Sequence, residues 1–552
     1  MNDHSPPSLE RRAFSALVAL LLAPVLAQGL WRPLVHVFGP SGRSGTITGV
    51  ALAISGTILL VQRLRPGLLA SLALGAFVAV GATVGWSLAL PGLLALLIVV
   101  AAIAPLVHWL LPQLPSALDG LARRHKALAT LYAVLAVSAV VSTARVSIFI
   151  GDSTRVDQQV LPGMAFLETH SCLTAYVHAA ALSRKHVDNL YAEHWWDGSH
   201  GAENAYRPFT LDYYAYPPPF LLVTAPLAPL EGDFAAQRAL WFGLNGLLFA
   251  VGLWVVARWV EGPSTHRVLL LAPVFFGSLP VLATLQVGNF QIAAVVISVL
   301  AMVAIQRDRP IVGGPLLAFA ILSKLSPGVL GIVLLAQRRW RGAAWAAGSG
   351  VVLFALSILT IGPSPTRYFL TYALPRIRSG EAFAFLDDTP FSILTNMSAF
   401  GLPFKLQLLG LSVGDPWALA RRIGNVYSAI LVVLAILAVR RGGDRRSQAM
   451  VWMSLLVLAA LQSPFAPGYT SIGLLWATML LSVEIRSLRG GVLLTLVWLL
   501  IAAAPPFQST SLLAAYSILQ AALIFGVPTW LILRSATSPL DRPGAGSNPP
   551  PA

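Results

Sequence analysis

Apolar stretches of about 20 residues, the length a helix needs to cross a bilayer, recur along nearly the whole chain, with short polar connections between them. They predict spans at 13–31, 46–62, 67–88, 91–111 and 127–150, then 236–258, 267–283, 289–305, 310–323, 325–337 and 342–361, and finally 423–439, 448–462, 469–484, 490–504 and 512–533. Several runs fall short of a full crossing and are expected to extend into their polar flanks. The segment 216–230 is apolar too, but Pro217, Pro218, Pro219, Pro226 and Pro229 exclude a straight spanning helix there. It is expected to dip in and return on the side it came from. The predicted fold class is all-α integral membrane, with about 14–16 transmembrane helices.

Alternate connections carry the basic residues: Arg63 and Arg65; Arg123, Arg124 and Lys126; Arg258 and Arg267; Arg307 and Arg309; Arg338, Arg339 and Arg341; Arg440, Arg441, Arg445 and Arg446; Arg486 and Arg489. Excess Lys/Arg in short loops marks the cytoplasmic side. With both termini inside, every one of these clusters lands in the cytoplasm. The opposite side has a different character. The stretch 151–233 holds ten of the 22 acidic residues and five of the ten histidines, against four Lys/Arg, and is rich in Trp and Tyr. A second long connection, roughly 362–422, falls on the same side, and loops this long in a compact fold are usually functional. Residues 173–183 are expected to form a short amphipathic helix along the surface.

Composition narrows the class further. Of 552 residues, 56% are apolar and 11% charged, with a mean hydropathy of +0.74. Soluble domains carry about 25% charged residues, so a water-soluble enzyme, a disordered chain and a disulfide scaffold are excluded. The net charge of +15 is accounted for by cytoplasmic loops, so no nucleic-acid partner is expected. Cys172, the only cysteine, excludes an intramolecular disulfide and reads as a small apolar filler. Arg11 and Arg12 before an apolar run resemble a secretory signal, but the next span follows closely, and an uncleaved anchor is expected. The tail 535–552, rich in Pro, Gly and Ser, reads as disordered.

Polar side chains at the outer ends of spans are costly unless they line a cavity or bind something. Gln286, Asn289 and Gln291 fall at one outer turn, and Lys324 and Ser326 at the next. Asn396 and Ser398 sit in the second long loop, and Gln462, Ser463 and Tyr469 at a later outer turn. Carboxylates, amides and one lysine on a single side suit a sugar-phosphate site. A carboxylate would deprotonate the accepting hydroxyl, and a cation would offset charge on the departing phosphate. Lys324 is the natural phosphate contact, or else a lysine snorkelling to an interface. The amides could equally tie helices together.

Several of these residues together resemble glycosyltransferase family 87, a branch of the GT-C superfamily, over about residues 127–500. The likeness rests on Tyr216-Pro217-Pro218-Pro219 followed by Pro226, Trp241 with Asn245, Gln286 with Asn289, Lys324 with Pro327, the Arg338–Arg341 cluster, and Ser463-Pro464. It implies a GT-C-type helical bundle whose long first extracytoplasmic loop is catalytic. It also implies an inverting mannosyltransferase-like activity drawing on polyprenyl-phosphate-linked sugar. Because such a donor has a single phosphate that a lysine can balance, no metal and no cofactor are expected, although the superfamily includes metal-using branches. There are departures. The family's Asp-Phe-x-x-Tyr is best matched by Ser171-Cys172-Leu173-Thr174-Ala175-Tyr176, with serine at the acidic position. Asn396-Met397-Ser398 replaces Asn-Gln-Ser, and Pro467-Gly468-Tyr469 stands where histidines often follow Ser-Pro.

These features give the following expectations. Residues 1–126 form an N-terminal membrane extension of about four spans, and 127–534 form the glycosyltransferase core with its outer loops 151–233 and 362–422. Asp152, just beyond a span end where the superfamily commonly places a carboxylate, is the expected general base, with Asp157 and Glu168 as alternatives. Lys324 contacts the donor phosphate; Gln286, Asn289, Asn396 and Ser463 line the site; Tyr216 and Trp241 shape it. The partners are the lipid bilayer, the lipid-linked donor and a lipid or glycan acceptor, at a bacterial inner (plasma) membrane with the active face outward. A lipid-linked sugar transporter and a catalytically inactive relative are the rival readings.

Overall fold

A computed structural model of the protein describes residues 8–38, 111–197, 201–386, 389–438, 444–503 and 509–537. The expected spans 46–62 and 67–88, nearly all of 91–111, the cluster Arg63 and Arg65, Arg440 and Arg441, and most of the C-terminal tail lie outside those residues. Among the described residues the chain is helical throughout, and its only β-pairing is an isolated bridge between Asn396 and Pro467.

Six helices are long and apolar enough to cross a membrane, within Leu9–Phe38, Lys126–Gly151, Phe234–Val260, Trp340–Ile361, Pro416–Leu437 and Thr510–Thr537. A broken pair, Gly262–Phe276 and Leu279–Val287, bent by 56°, has the apolar length of a seventh span or of a re-entrant loop. The break falls at Gly277 and Ser278, just before Pro280, whose ring cannot continue a helical ladder. Shorter apolar helices complete the bundle, among them Gln291–Gln306, Pro310–Ser323 and Leu488–Ala502. Local chemistry sets several starts. Asp233 accepts the Ala236 amide at 2.9 Å and begins Phe234–Val260, and Asp444 accepts the Ser447 amide at 2.8 Å and begins Arg445–Ala460. Trp340–Ile361 buries only Gly342 and Ser357; an apolar helix so exposed is suited to lipid.

Each core helix has one basic end and one polar-cluster end. Gln291–Gln306 runs from Asn289 to Gln306, whose amide takes a hydrogen bond from Arg339. Phe234–Val260 runs from Asp233 to Trp259, whose carbonyl accepts from Arg445 at 3.3 Å. Pro310–Ser323 runs from Arg309 to Lys324. The described arginine clusters therefore gather at one end of the bundle, where Arg446 and Arg534 also pair with Glu484.

The proline-rich stretch forms a 3₁₀ helix, Pro218–Leu230, rather than an α-helical span. It starts beside Tyr214, whose hydroxyl bonds the Pro217 carbonyl at 3.1 Å, and ends against the start of the Phe234–Val260 helix, where Gln237 reaches the Leu227 carbonyl at 3.2 Å. The surface helix expected at 173–183 is corrected: Leu173–Arg184 is a helix, but only Arg184 is exposed. Its alanines offer no polar stripe, and its few polar groups are satisfied inside, with Thr174 bonding the Ser171 carbonyl at 2.8 Å and His178 facing the Tyr206 hydroxyl at 3.3 Å.

The helix Leu9–Phe38 is built into this bundle. It crosses Phe234–Val260 where Gly29 meets Gly243, so closely that a Cβ on Gly243 would stand 2.7 Å from the Gly29 Cα. Small residues at such a crossing let the backbones touch. Gly243→Leu is expected to push the helices apart and cost about 1–3 kcal/mol, read as a lower thermal unfolding midpoint in detergent. An unchanged midpoint would mean that this crossing adds nothing to stability.

Candidate functional site

Five segments distant in sequence meet at the polar end. Lys324, in the turn after Pro310–Ser323, donates from Nζ to Asn289 Oδ1 at 3.0 Å. Asn289 Nδ2 donates to the Tyr469 hydroxyl at 2.9 Å and lies 3.2 Å from Cys172 Sγ. The Lys324 ammonium also stands 5.6 Å from the centre of the Tyr216 ring, whose hydroxyl is 3.0 Å from that of Tyr176. Three polar contacts thus converge on Asn289, two of them joining it to residues more than 100 positions away and the third to Lys324. Burial is the largest influence on the titrating groups here. It lowers Lys324 to about 8 and raises Cys172 and Tyr216 above their ordinary ranges, so thiol and phenol are neutral at pH 7. Among the described residues no carboxylate pairs with Lys324.

The backbone at this point depends on one glycine. Gly288 ends Leu279–Val287 at φ +71°, and a Cβ there would meet Leu173 at 3.2 Å and Trp241 at 3.3 Å. Trp241 Nε1 donates to the Gly288 carbonyl at 2.8 Å and packs edge-on to Tyr176. Trp241 and Tyr216 therefore shape the cluster.

Gln286 and Asn396 are placed differently. Gln286 is buried; its Oε1 accepts the Val160 amide at 2.7 Å and its Nε2 donates to the Leu167 carbonyl at 3.1 Å, which fastens the first long loop to the bundle. Asn396 donates to the Pro464 carbonyl at 2.8 Å and accepts the Ser398 and Ala466 amides, both at 3.0 Å. Both amides are committed to backbone, so they position loops and do not face the lysine. Ser463, half-buried in the same later turn, has only its backbone amide bonded, to the Ala460 carbonyl at 3.3 Å.

The three carboxylates singled out from sequence stand in the first loop without contact to Lys324. Asp152 is exposed and turned onto its own chain, accepting from the Thr154 hydroxyl at 2.7 Å and amide at 3.0 Å. Those bonds lower its pKa and make it a weaker base. Asp157 is exposed and engaged by Gln158 and Arg155, and Glu168 accepts from Gln159 at 3.1 Å.

Three residues that sequence patterns did not single out for chemistry lie at the lysine cluster. Cys172 Sγ is 3.4 Å from His170 Nε2, and Asp212 is 3.8 Å from the same nitrogen. The ligand atoms of all three lie within 4.8 Å of one another. Asp212 is an unremarked member of an acidic loop; its only sequence signal is its place four residues before Tyr216.

The two long loops also meet. Arg376 pairs with Glu193 and, at 2.9 Å, with Glu381, the Ser364 hydroxyl bonds the Asp188 carbonyl at 2.7 Å, and the Phe166 ring lies 4.8 Å from Phe391. The acidic loop, the lysine turn and the later loop are therefore neighbours on one side of the bundle. Residues 214–464 match the family model of glycosyltransferase family 87. No curated protein and no solved structure gave a match.

Proposed function

With residues 214–464 a glycosyltransferase family 87 region and the chain a membrane glycosyltransferase, we propose that it takes a hexose, mannose before others, from a polyprenyl-phosphate donor and adds it to a lipid or glycan outside the cytoplasm. The membrane would be a bacterial plasma membrane, with the lysine cluster facing outward.

The observation that carries the reading is Lys324: an ammonium held by Asn289 and aromatic rings, with no carboxylate partner among the described residues. A partly buried cation kept without a counter-charge is suited to an anionic ligand. The donor's single phosphate would supply it, and the partly exposed Tyr216 ring offers a face for the sugar, with buried Trp241 packed behind the cluster. As the anomeric carbon leaves phosphate for the acceptor oxygen, charge grows on the phosphate, and the lysine opposes it without a metal or other cofactor.

Purified protein in lipid vesicles, given polyprenyl-phosphate carrying radiolabelled mannose and an extract of bacterial membrane lipids, is expected to move label onto an acceptor lipid. Movement of intact donor across the vesicle without transfer would overturn this in favour of transport. Absence of both would leave an inactive relative.

A further inference from the structure

We infer that Asp212, and not a carboxylate near the end of the Lys126–Gly151 helix, is the general base of the transfer. The assignment rests on the sugar-transfer reading above. Among the described residues, Asp212 is the carboxylate at the lysine cluster: it meets His170 and Cys172, and Cys172 meets the Asn289 that holds Lys324.

The loop is folded to put it there. The Thr210 amide bonds the Thr169 carbonyl at 2.8 Å, and the Asp212 amide bonds the Thr174 hydroxyl at 3.0 Å. These two contacts clamp 210–212 onto 169–174, the stretch whose acidic position carries Ser171. A carboxylate missing from one strand of the loop is thereby supplied from another, about 40 residues later. Its side chain is 34% exposed and that of His170 19%, so an acceptor hydroxyl can reach it. Burial holds His170 below the ordinary histidine range, so a neutral ring, not a competing cation, borders the carboxylate.

Spacing also favours it. A base and a phosphate-binding cation must flank the sugar, so they must share a site without pairing, because a direct ion pair would quench both. Cys172 and Asn289 link Asp212 to Lys324 by contacts, and among the described residues the two form no ion pair. Asp212 Oδ1 accepts the amide of its neighbour Tyr213 at 3.0 Å, but its carboxylate also lies beside Cys172 and His170 at the cluster, whereas among the described residues Asp152 and Asp157 are bonded only to residues of their own turn. In the step itself the acceptor O–H gives its proton to Asp212, and its oxygen bonds the anomeric carbon. The carbon–oxygen bond to phosphate breaks, and its electron pair departs on polyprenyl phosphate beside Lys324.

The test uses the full chain in vesicles with the labelled donor and lipid extract. Asp212→Asn is expected to lower kcat by about a hundredfold or more, within the range of general-base losses, with donor KM changed by no more than about threefold. Asp212→Glu is expected to recover part of the rate, and Asp152→Asn to retain it. An Asp212→Asn protein with near-normal kcat, while Asp152→Asn is inactive, would overturn the assignment and leave the transferase reading intact. Stoichiometric zinc that is lost in both His170→Ala and Asp212→Asn would also overturn it, because the three side chains would then be metal ligands. A wild-type protein that transfers no sugar overturns the reading beneath it, and the assignment with it.

Discussion

Replacing Lys324 with alanine is expected to reduce sugar transfer by about 10²- to 10³-fold, the usual loss when a group stabilising transition-state charge is removed. Donor affinity should fall with it, because in the proposed function the same ammonium would meet the donor phosphate before and during reaction. Asn289, which holds the lysine at 3.0 Å, would remain but carries no charge. The pH profile gives a second readout. Burial lowers Lys324 to about 8, and only the protonated form attracts phosphate. Rising pH should therefore cut kcat/KM about tenfold per unit above pH 8, while below 8 this group leaves the profile flat. Lys324→Arg keeps its charge throughout and should lose that alkaline limb, even though its planar fork fits less well. An alanine variant with unchanged donor affinity would show that the lysine serves the fold alone.

Much of the fold was legible because the solvent is a bilayer, where apolar length and arginine placement are nearly sufficient signals. The five prolines of 216–230 foretold a segment that is no straight α-helix, and the Lys324 turn sits between two helices where the pattern placed it. Asn289 and Lys324, predicted at neighbouring outer turns, are in direct contact. Gln286 and Asn396 show the limit of such prediction: a buried amide looks the same in sequence whether it faces a ligand or holds a backbone, and here both hold backbone. The burial of Leu173–Arg184 was hidden for a related reason, since a helix of small residues with a few polar ones scans as amphipathic until its neighbours are known. Asp212 was not legible at all. Its neighbours His170 and Cys172 lie about 40 positions earlier, and the clamp that joins them is made by backbone amides and a threonine hydroxyl, which leave no compositional trace.

Arg238 makes the second large effect, and it concerns stability. This arginine, 3% exposed in the second turn of Phe234–Val260, packs against the rings of Phe149 and Phe209 at 4.7 and 4.5 Å, which themselves meet edge-on. It donates to the carbonyls of Phe149 at 3.0 Å, Ile150 at 3.4 Å and Gln286 at 3.5 Å. The first two belong to the last turn of Lys126–Gly151, whose final carbonyls lack helical partners and carry the negative end of the helix dipole; Arg32 serves Gly151 in the same way. One guanidinium therefore ties the end of that helix to the turn that carries Asn289. Arg238→Leu preserves apolar bulk but strands two buried carbonyls at about 1–3 kcal/mol each and removes the cation from both rings. A total near 3–5 kcal/mol is expected, seen as a large drop in the thermal unfolding midpoint of the purified protein. Arg238→Lys should recover only part of it, because a single ammonium cannot reach three carbonyls in the fixed geometry of the fork. Sugar transfer should fall in parallel with stability, because Gln286 anchors Val160 and Leu167 of the loop that leads to His170 and Cys172. A leucine variant as stable as the wild type would mean that water or a shifted backbone satisfies the helix end, and that the link between Lys126–Gly151 and the Asn289 turn does not run through this side chain.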